Sequence, residues 1–252
     1  MSLYSPAMLG IIPARAGSTR FPEKPLALIG GRPMIQWVVE RALSSQLFDE
    51  VIVATDDERI AEAARQAGAD ARLTDSDIPN GTLRSYSAMK QWEAAHPDQS
   101  VGWVLNIQGD EPFVHHEQLQ KLTQLIRQAG ASIATLARPK LADDAEFLNP
   151  NRVKVVCDLN GKALYFSRSA IPHAPGPWLE HVGLYAFSRG ALEALTHLHA
   201  TDLERRERLE QMRWLEHGWH IMVGRTHHAT HAVDTPEDLI QIENMLSSGE
   251  VA

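Results

Sequence analysis

Met8-Leu9-Gly10-Ile11-Ile12-Pro13 is an apolar run too short for a helix and rich in Ile, so it reads as a buried strand. A Gly/Pro/basic loop follows from Ala14 to Pro25. Pro33 to Leu43 then carries apolar residues at helical spacing, with Pro33 suited to a first turn. The alternation continues with a β-branched strand at Val51 to Thr55 and a helix from Asp57 to Ala67 that Gly68 ends. Next come a short strand at Ala71 to Leu73, a helix over Thr82 to Ala94 and an apolar strand at Val101 to Ile107. A helix over His116 to Gln128, closed by Gly130, completes the series. Strand, loop and helix repeated in this way predict an α/β fold with a parallel sheet covered by helices.

After about residue 135 the pattern changes. Val153 to Asp158 and Lys162 to Ser167 flank Leu159-Asn160-Gly161, a hairpin signal. His181 to Phe187 is a further strand, and Pro172 to Pro177 a loop. These segments predict a smaller β-rich lobe. Glu204 to Glu216 reads as one charged helix and Ile221 to Val223 as a strand. Thr235 caps a last helix, with Pro236 at its first position.

Of the 252 residues, 24 are Lys or Arg and 32 are Asp or Glu, a formal charge of −8 that argues against nucleic acid or an anionic membrane as partner. One cysteine, Cys157, leaves no intrachain disulfide and favours a reducing compartment. No run approaches the roughly 20 apolar residues of a spanning helix. The N-terminus lacks the basic start of a signal peptide, so a cytoplasmic location is expected.

Ligands of parallel sheets bind at the carboxyl ends of strands. Polar residues cluster there after three strands: Arg15 to Lys24, Asp56-Asp57, and Gln108 to Glu111. Within the acidic chain, Ala14 to Arg32 carries Arg15, Arg20, Lys24 and Arg32 against one acid, Glu23. Gly17 and Ser18 allow a tight backbone whose N–H groups can face an anion. Arg15 and Arg20 suit phosphate oxygens, and Lys24 supplies a point charge. The loop is neither GxxxxGK[ST] nor GxGxxG, which removes the Walker and dinucleotide readings and with them an NAD-dependent oxidoreductase. Taken alone, Asp110 reads equally as a turn residue and Asp234 as a carboxylate at a helix start.

Several short motifs follow one another along the chain. They are Ile11-Ile12-Pro13-Ala14-Arg15, Gly17-Ser18-Thr19-Arg20-Phe21-Pro22, Lys24-Pro25-Leu26, Val53-Ala54-Thr55-Asp56-Asp57 and Asn106-Ile107-Gln108-Gly109-Asp110-Glu111-Pro112. Further along stand Val153-Lys154-Val155-Val156, Tyr165-Phe166-Ser167-Arg168, His181-Val182-Gly183-Leu184-Tyr185, Leu209-Glu210-Gln211 and Val233-Asp234-Thr235-Pro236-Glu237-Asp238. Together they resemble the CMP-sugar synthetases over nearly the whole chain, and most of all the branch acting on 3-deoxy-D-manno-octulosonate (KDO).

The resemblance implies a nucleotide-diphospho-sugar transferase fold: a mixed, mainly parallel sheet flanked by helices, with a smaller β-rich lobe. It implies a single nucleotidyltransferase domain, with residues 1–135 and 203–252 as nucleotide- and metal-binding core and 136–202 as sugar-binding and dimerisation lobe. The implied reaction joins CTP and KDO to give CMP-KDO and diphosphate for lipopolysaccharide synthesis, by a homodimer. An 8-amino analogue of KDO or a sialic-type acid is the alternative substrate. The catalytic residues it implies are Arg15, Lys24, Asp110 and Asp234, the two aspartates holding Mg2+. Nucleotide contacts fall on Arg15, Gly17, Ser18, Arg20, Lys24, Asn80, Gly81, Thr82, Arg84 and Gln108. The sugar acid falls to Gln108, Arg168, His181, Tyr185, Glu210 and Gln211. Leu83 stands where the family has an acidic residue, and the segment between Arg168 and His181 is short for the family.

Overall fold

The first strand, β1 (Ala7–Ala14), is buried along almost its whole length. It lies between two parallel partners, and the alternating residues of both its faces are buried, so an uninterrupted apolar run is the stable sequence for it. A computed structural model provides these coordinates and describes residues 5–17, 21–128, 130–174 and 176–250. Contacts divide the chain into two compact units, Met1–Gln120 with Thr230–Ala252, and Lys121–Ala229.

In the first unit a hairpin, β2 (Leu28–Ile29) and β3 (Arg32–Pro33), follows β1 and leads into α1 (Met34–Ser44), for which Pro33 is the N-cap. Next come β4 (Glu50–Thr55), α2 (Glu58–Gln66), β5 (Asp70–Leu73), α3 (Gly81–Ala95), β6 (Val101–Asn106) and the start of α4 (His116–Gln128). The strand order is β6-β1-β4-β5 and every pairing is parallel, with Ala14 opposite Thr55 and Ile11 opposite Asn106. The three polar clusters therefore leave the sheet side by side. α1 and α3 pack on β1, and α2 on β4. Asp57 caps α2 by accepting the Arg59 N–H at 2.7 Å, and Asn80 caps α3 by accepting the Leu83 N–H at 2.9 Å. Met8, Leu9, Ile11, Ile12, Val38, Ile52, Val53 and Val104 make up much of this core.

The last helix of the unit, Pro236–Ser248, bears a capping box in which Thr235 and Asp238 satisfy each other's backbone N–H groups. A satellite apolar cluster of Ile29, Met34, Phe113, Val233 and Ile242 joins the 230s to the β2–β3 hairpin, with Trp37, Leu239 and Leu246 packed on it.

The second unit contains β7 (Ile133–Lys140), β8 (Lys154–Cys157), β9 (Ala163–Ser167), β10 (Trp178–Ser188), α5 (Arg189–Leu195), α6 (Asp202–Glu207), α7 (Glu210–Glu216) and β11 (Ile221–Arg225). α8 (Pro236–Ser248) follows in the first unit. β7 pairs parallel with β11 and antiparallel with β10, and β8 pairs with β10 and β9. The expected hairpin is present. Its turn is closed by the Asp158 carboxylate, which accepts from the N–H groups of Asn160 and Lys162 at 2.8 Å each, and Gly161 takes φ 82° there. Phe166, Phe187 and Trp214 fill the core, the two phenylalanines within β9 and β10.

β2, β3, β7 and α5 are not among the elements the sequence predicts, and two other segments differ in extent. The single helix expected over Glu204 to Glu216 is two, α6 and α7, because Arg208 adopts φ 54° and breaks the helical path. β10 begins at Trp178, three residues before the strand expected at His181. No helix among the described residues is long and apolar enough to cross a membrane.

Candidate active site

A cavity of about 260 Å³ opens at the carboxyl ends of β1 and β6 in the first unit. Arg15, Lys24, Asn80, Gly81, Arg84, Gln108, Asp110 and Asp234 all line it. One ammonium group joins its two carboxylates: Lys24 Nζ lies 2.7 Å from Asp110 Oδ2 and 3.2 Å from Asp234 Oδ1. Lys24 is only 14% exposed.

Each partner is held from its backbone. Lys24 opens a short 3-10 turn after Glu23, whose φ of 56° reverses the chain. The Glu23 N–H donates to the Ala16 carbonyl at 3.1 Å, folding the loop back on itself. The Val233 N–H donates to the Asp110 carbonyl at 2.9 Å, and the His231 N–H to Glu111 Oε2 at 3.2 Å. These two bonds tie the segment bearing Asp234 to the segment bearing Asp110. The Asp238 carboxylate accepts the N–H groups of Asp234 and Thr235 at 2.9 and 2.8 Å. Helix capping is thus complete without the Asp234 carboxylate, which is left for the cavity.

On the cavity wall, Arg84 is 2% exposed and reaches Asp56 at 3.5 Å, Thr74 Oγ1 and the Ile78 carbonyl. Burial pulls its guanidinium pKa down, and Asp56 opposes that shift. Asp56 in turn accepts the Ala16 N–H at 3.1 Å. Arg84 therefore braces the start of the basic loop through a carboxylate, a role the sequence reading missed.

The second unit gathers another polar set. Thr135 Oγ1 contacts the carbonyls of Leu184 and Val182 at 2.8 and 3.1 Å, and His181 Nε2 at 3.0 Å. Carbonyls only accept, so the hydroxyl proton points at them and His181 Nε2–H donates to Oγ1. A register shift between Val182 and Tyr185 in β10 sits at this point. The His181 ring packs against Phe166 and Tyr185, with centroids 5.0 and 5.5 Å away. Burial drives its pKa from 6.5 to about 3. Burial and the Glu210 carboxylate push the Tyr185 phenol well above its ordinary value.

Arg168 donates through Nε to the Glu207 carbonyl and through Nη1 to the Pro150 carbonyl, both at 3.1 Å. Its N–H donates to Glu207 Oε2 at 3.0 Å, and its carbonyl accepts from the fully buried Lys154 ammonium at 3.0 Å. Arg168 is thereby fixed beside the break that separates α6 from α7. Gln211 is buried at the start of α7, and Glu210 lies 3.7 Å from Arg213.

Comparison with known proteins bears on what this arrangement serves. A family model described as Cytidylyltransferase matches residues 9–222. The 3-deoxy-manno-octulosonate cytidylyltransferase of Parabacteroides distasonis is 43% identical over 244 residues, covering 92% of this chain and 94% of that protein. The protein of the same name from Nitratidesulfovibrio vulgaris is 45% identical, covering 96% of each. The chain belongs to the 3-deoxy-manno-octulosonate cytidylyltransferase family.

A solved structure of CMP:2-keto-3-deoxy-manno-octonic acid synthetase complexed with CTP superposes on this cytidylyltransferase with a TM-score of 0.88 at 36% identity, over 96% of this chain and 99% of that one. A 4-diphosphocytidyl-2C-methyl-D-erythritol synthase from Anaerococcus prevotii, 17% identical with a TM-score of 0.64, shares the fold. The mixed, mainly parallel strands flanked by helices are those of the nucleotide-diphospho-sugar transferase fold.

Of the nucleotide residues expected in this cytidylyltransferase, Thr82 is buried on α3 beside the lining residue Gly81, and Gly17 lies in the loop after β1. Ser18 and Arg20 lie outside the described residues. Asp56 and Glu111 act through backbone N–H groups that a sequence does not display.

His181 gives a pH test of this packing. The folded chain refuses a proton that the unfolded chain accepts below about pH 6.5, so the contribution to stability is complete above that pH. It is lost as pH falls towards about 3, by at most about 1.4 kcal/mol per pH unit. Denaturant unfolding of the wild type between pH 4 and 6 will show this loss, and His181→Gln will flatten it. Parallel curves for the two proteins would contradict a ring held neutral by its packing.

Proposed function

We propose that the chain transfers CMP from CTP to the anomeric hydroxyl of KDO, forming CMP-KDO and releasing diphosphate. The observation that carries this reading is the convergence of Lys24, Asp110 and Asp234 in the cavity after β1 and β6, in a member of this family. Arg15 and Lys24 offer cationic groups to the triphosphate, where charge builds on the leaving diphosphate. The α3 N-terminus, with Asn80 and Gly81 on the cavity wall, faces its backbone N–H groups towards anionic or ribose oxygens. Gln108, also on the wall, supplies an amide for the nucleotide or sugar.

Two hard carboxylate oxygens that close on a single cation make a donor set suited to Mg2+. Asp110 and Asp234 would hold it, and when bound it neutralises phosphate charge and orients the α-phosphorus for in-line attack. For the sugar acid, the Arg168 guanidinium suits the carboxylate, and Glu210 and Gln211 suit hydroxyls. His181 stays neutral and positions Tyr185 by packing. The chain acts in this reading as a homodimer.

Diphosphate release from CTP with Mg2+ and a panel of sugar acids tests the assignment. KDO is expected to give the highest kcat/KM. A panel in which KDO gives no turnover would remove it as the substrate.

A further inference from the structure

The Lys24 ammonium stands between the two carboxylates assigned above to the metal. Two such groups facing one cavity carry a charge of −2 and repel each other, and the ammonium lowers this to −1. We infer that Lys24 is a built-in stand-in for the divalent cation. It closes the Asp110–Asp234 pair against free metal, and the nucleotide triphosphate releases it. This inference rests on the assignment of Asp110 and Asp234 to the metal.

First, a free divalent ion must displace an ammonium already held at 2.7 and 3.2 Å, so nucleotide-free affinity for metal is lowered by the loss of those contacts. Second, the lysine backbone is pinned, while its side chain is held at the ammonium. The Leu26 N–H donates to the Glu23 carbonyl at 2.8 Å and the Ala27 N–H to the Lys24 carbonyl at 3.0 Å, leaving a flexible four-carbon stem within the cavity. Third, Arg15, Asn80 and Gly81 line the same cavity, so a triphosphate bound there offers the ammonium new anionic partners. The metal then enters together with the nucleotide, and Lys24 moves from carboxylate to phosphate without a change in net charge.

Direct binding of Mn2+ alone, followed by water-proton relaxation, tests this on the full chain. In the absence of nucleotide, Lys24→Met is expected to bind Mn2+ at least about tenfold more tightly than the wild type. Lys24→Arg, which keeps a cation, should show no such gain. Adding Asp110→Asn to Lys24→Met should abolish the gain, which places it at this carboxylate pair. Lys24→Gln provides the same comparison if Lys24→Met folds poorly. Equal or weaker nucleotide-free binding by both neutral variants overturns the inference. If the wild type then still binds Mn2+ with CTP present, and Asp110→Asn does not, the metal assignment survives alone. Absence of Mn2+ binding even with CTP present overturns both.

Discussion

Asp110→Asn will lower kcat on the order of 10³-fold, about 4 kcal/mol, while leaving the fold intact. The substitution keeps size and shape but removes one of the two charges that close on the Lys24 ammonium. Charge developing on the triphosphate would lose one anchor of its neutralising cation, a deficit that appears in the chemical step. Stability should hardly move. The Asp110 side chain is 28% exposed, an ion pair of that kind contributes about 1 kcal/mol or less, and the main-chain bond from Val233 is untouched. Steady-state kinetics with Mg2+ and a thermal melt check both halves. Retained turnover would take Asp110 out of the metal site, and a collapsed melt would make its role structural.

Gly109→Ala is expected to damage fold and site together. A Cβ on Gly109 would lie 2.8 Å from the Pro13 carbonyl oxygen and 3.4 Å from the Ala14 Cβ. The first is a backbone atom in β1 and cannot rotate away, so the turn after β6 must shift by a few tenths of an ångström. Overpacking of this kind costs about 1–3 kcal/mol, which for a chain of this size lowers Tm by about 6 °C. Because Asp110 is the next residue, the shift also displaces a site carboxylate, and about 10²-fold in kcat/KM should go with it. Gly17→Ala is the stability control, since a Cβ there meets nothing within 4 Å. A melt unchanged from wild type in Gly109→Ala would mean that β1 and this turn do not approach as closely as described.

Much of the first unit was legible because its strands are buried on both faces. Ile11-Ile12 and Val51-Ile52-Val53 are uninterrupted apolar runs, and the helices between them carry ordinary caps at Asp57 and Asn80. The second unit was less so. β7 carries Thr135, Arg138, Pro139 and Lys140 among its apolar residues, and its extended shape comes from pairing with β10 and β11 rather than from a local pattern. The break at Arg208 has neither glycine nor proline to announce it. It is held by distant partners, since Arg168 donates to the Glu207 carbonyl on one side of it.

The site was legible as a set of residue types in order, and less so as a geometry. Clustered cations after β1 and carboxylates after β6 and before α8 stood out in the sequence. That Lys24 would bridge both aspartates did not, because the bridge depends on the Val233–Asp110 and His231–Glu111 bonds between remote segments. Arg84 shows the same limit: the residue type suggests phosphate, and the fold occupies its guanidinium with Asp56, Thr74 and a carbonyl.

In the reaction of this family a sugar oxygen displaces diphosphate at the α-phosphorus of CTP, and isotope labelling follows that oxygen. KDO carrying oxygen-18 in its anomeric hydroxyl, incubated with CTP, Mg2+ and the protein, should give CMP-KDO with the label in the bond between sugar carbon and phosphorus, and unlabelled diphosphate. Label in the diphosphate, or hydrolysis of CTP with no labelled nucleotide product, would rule out attack by the sugar oxygen at phosphorus.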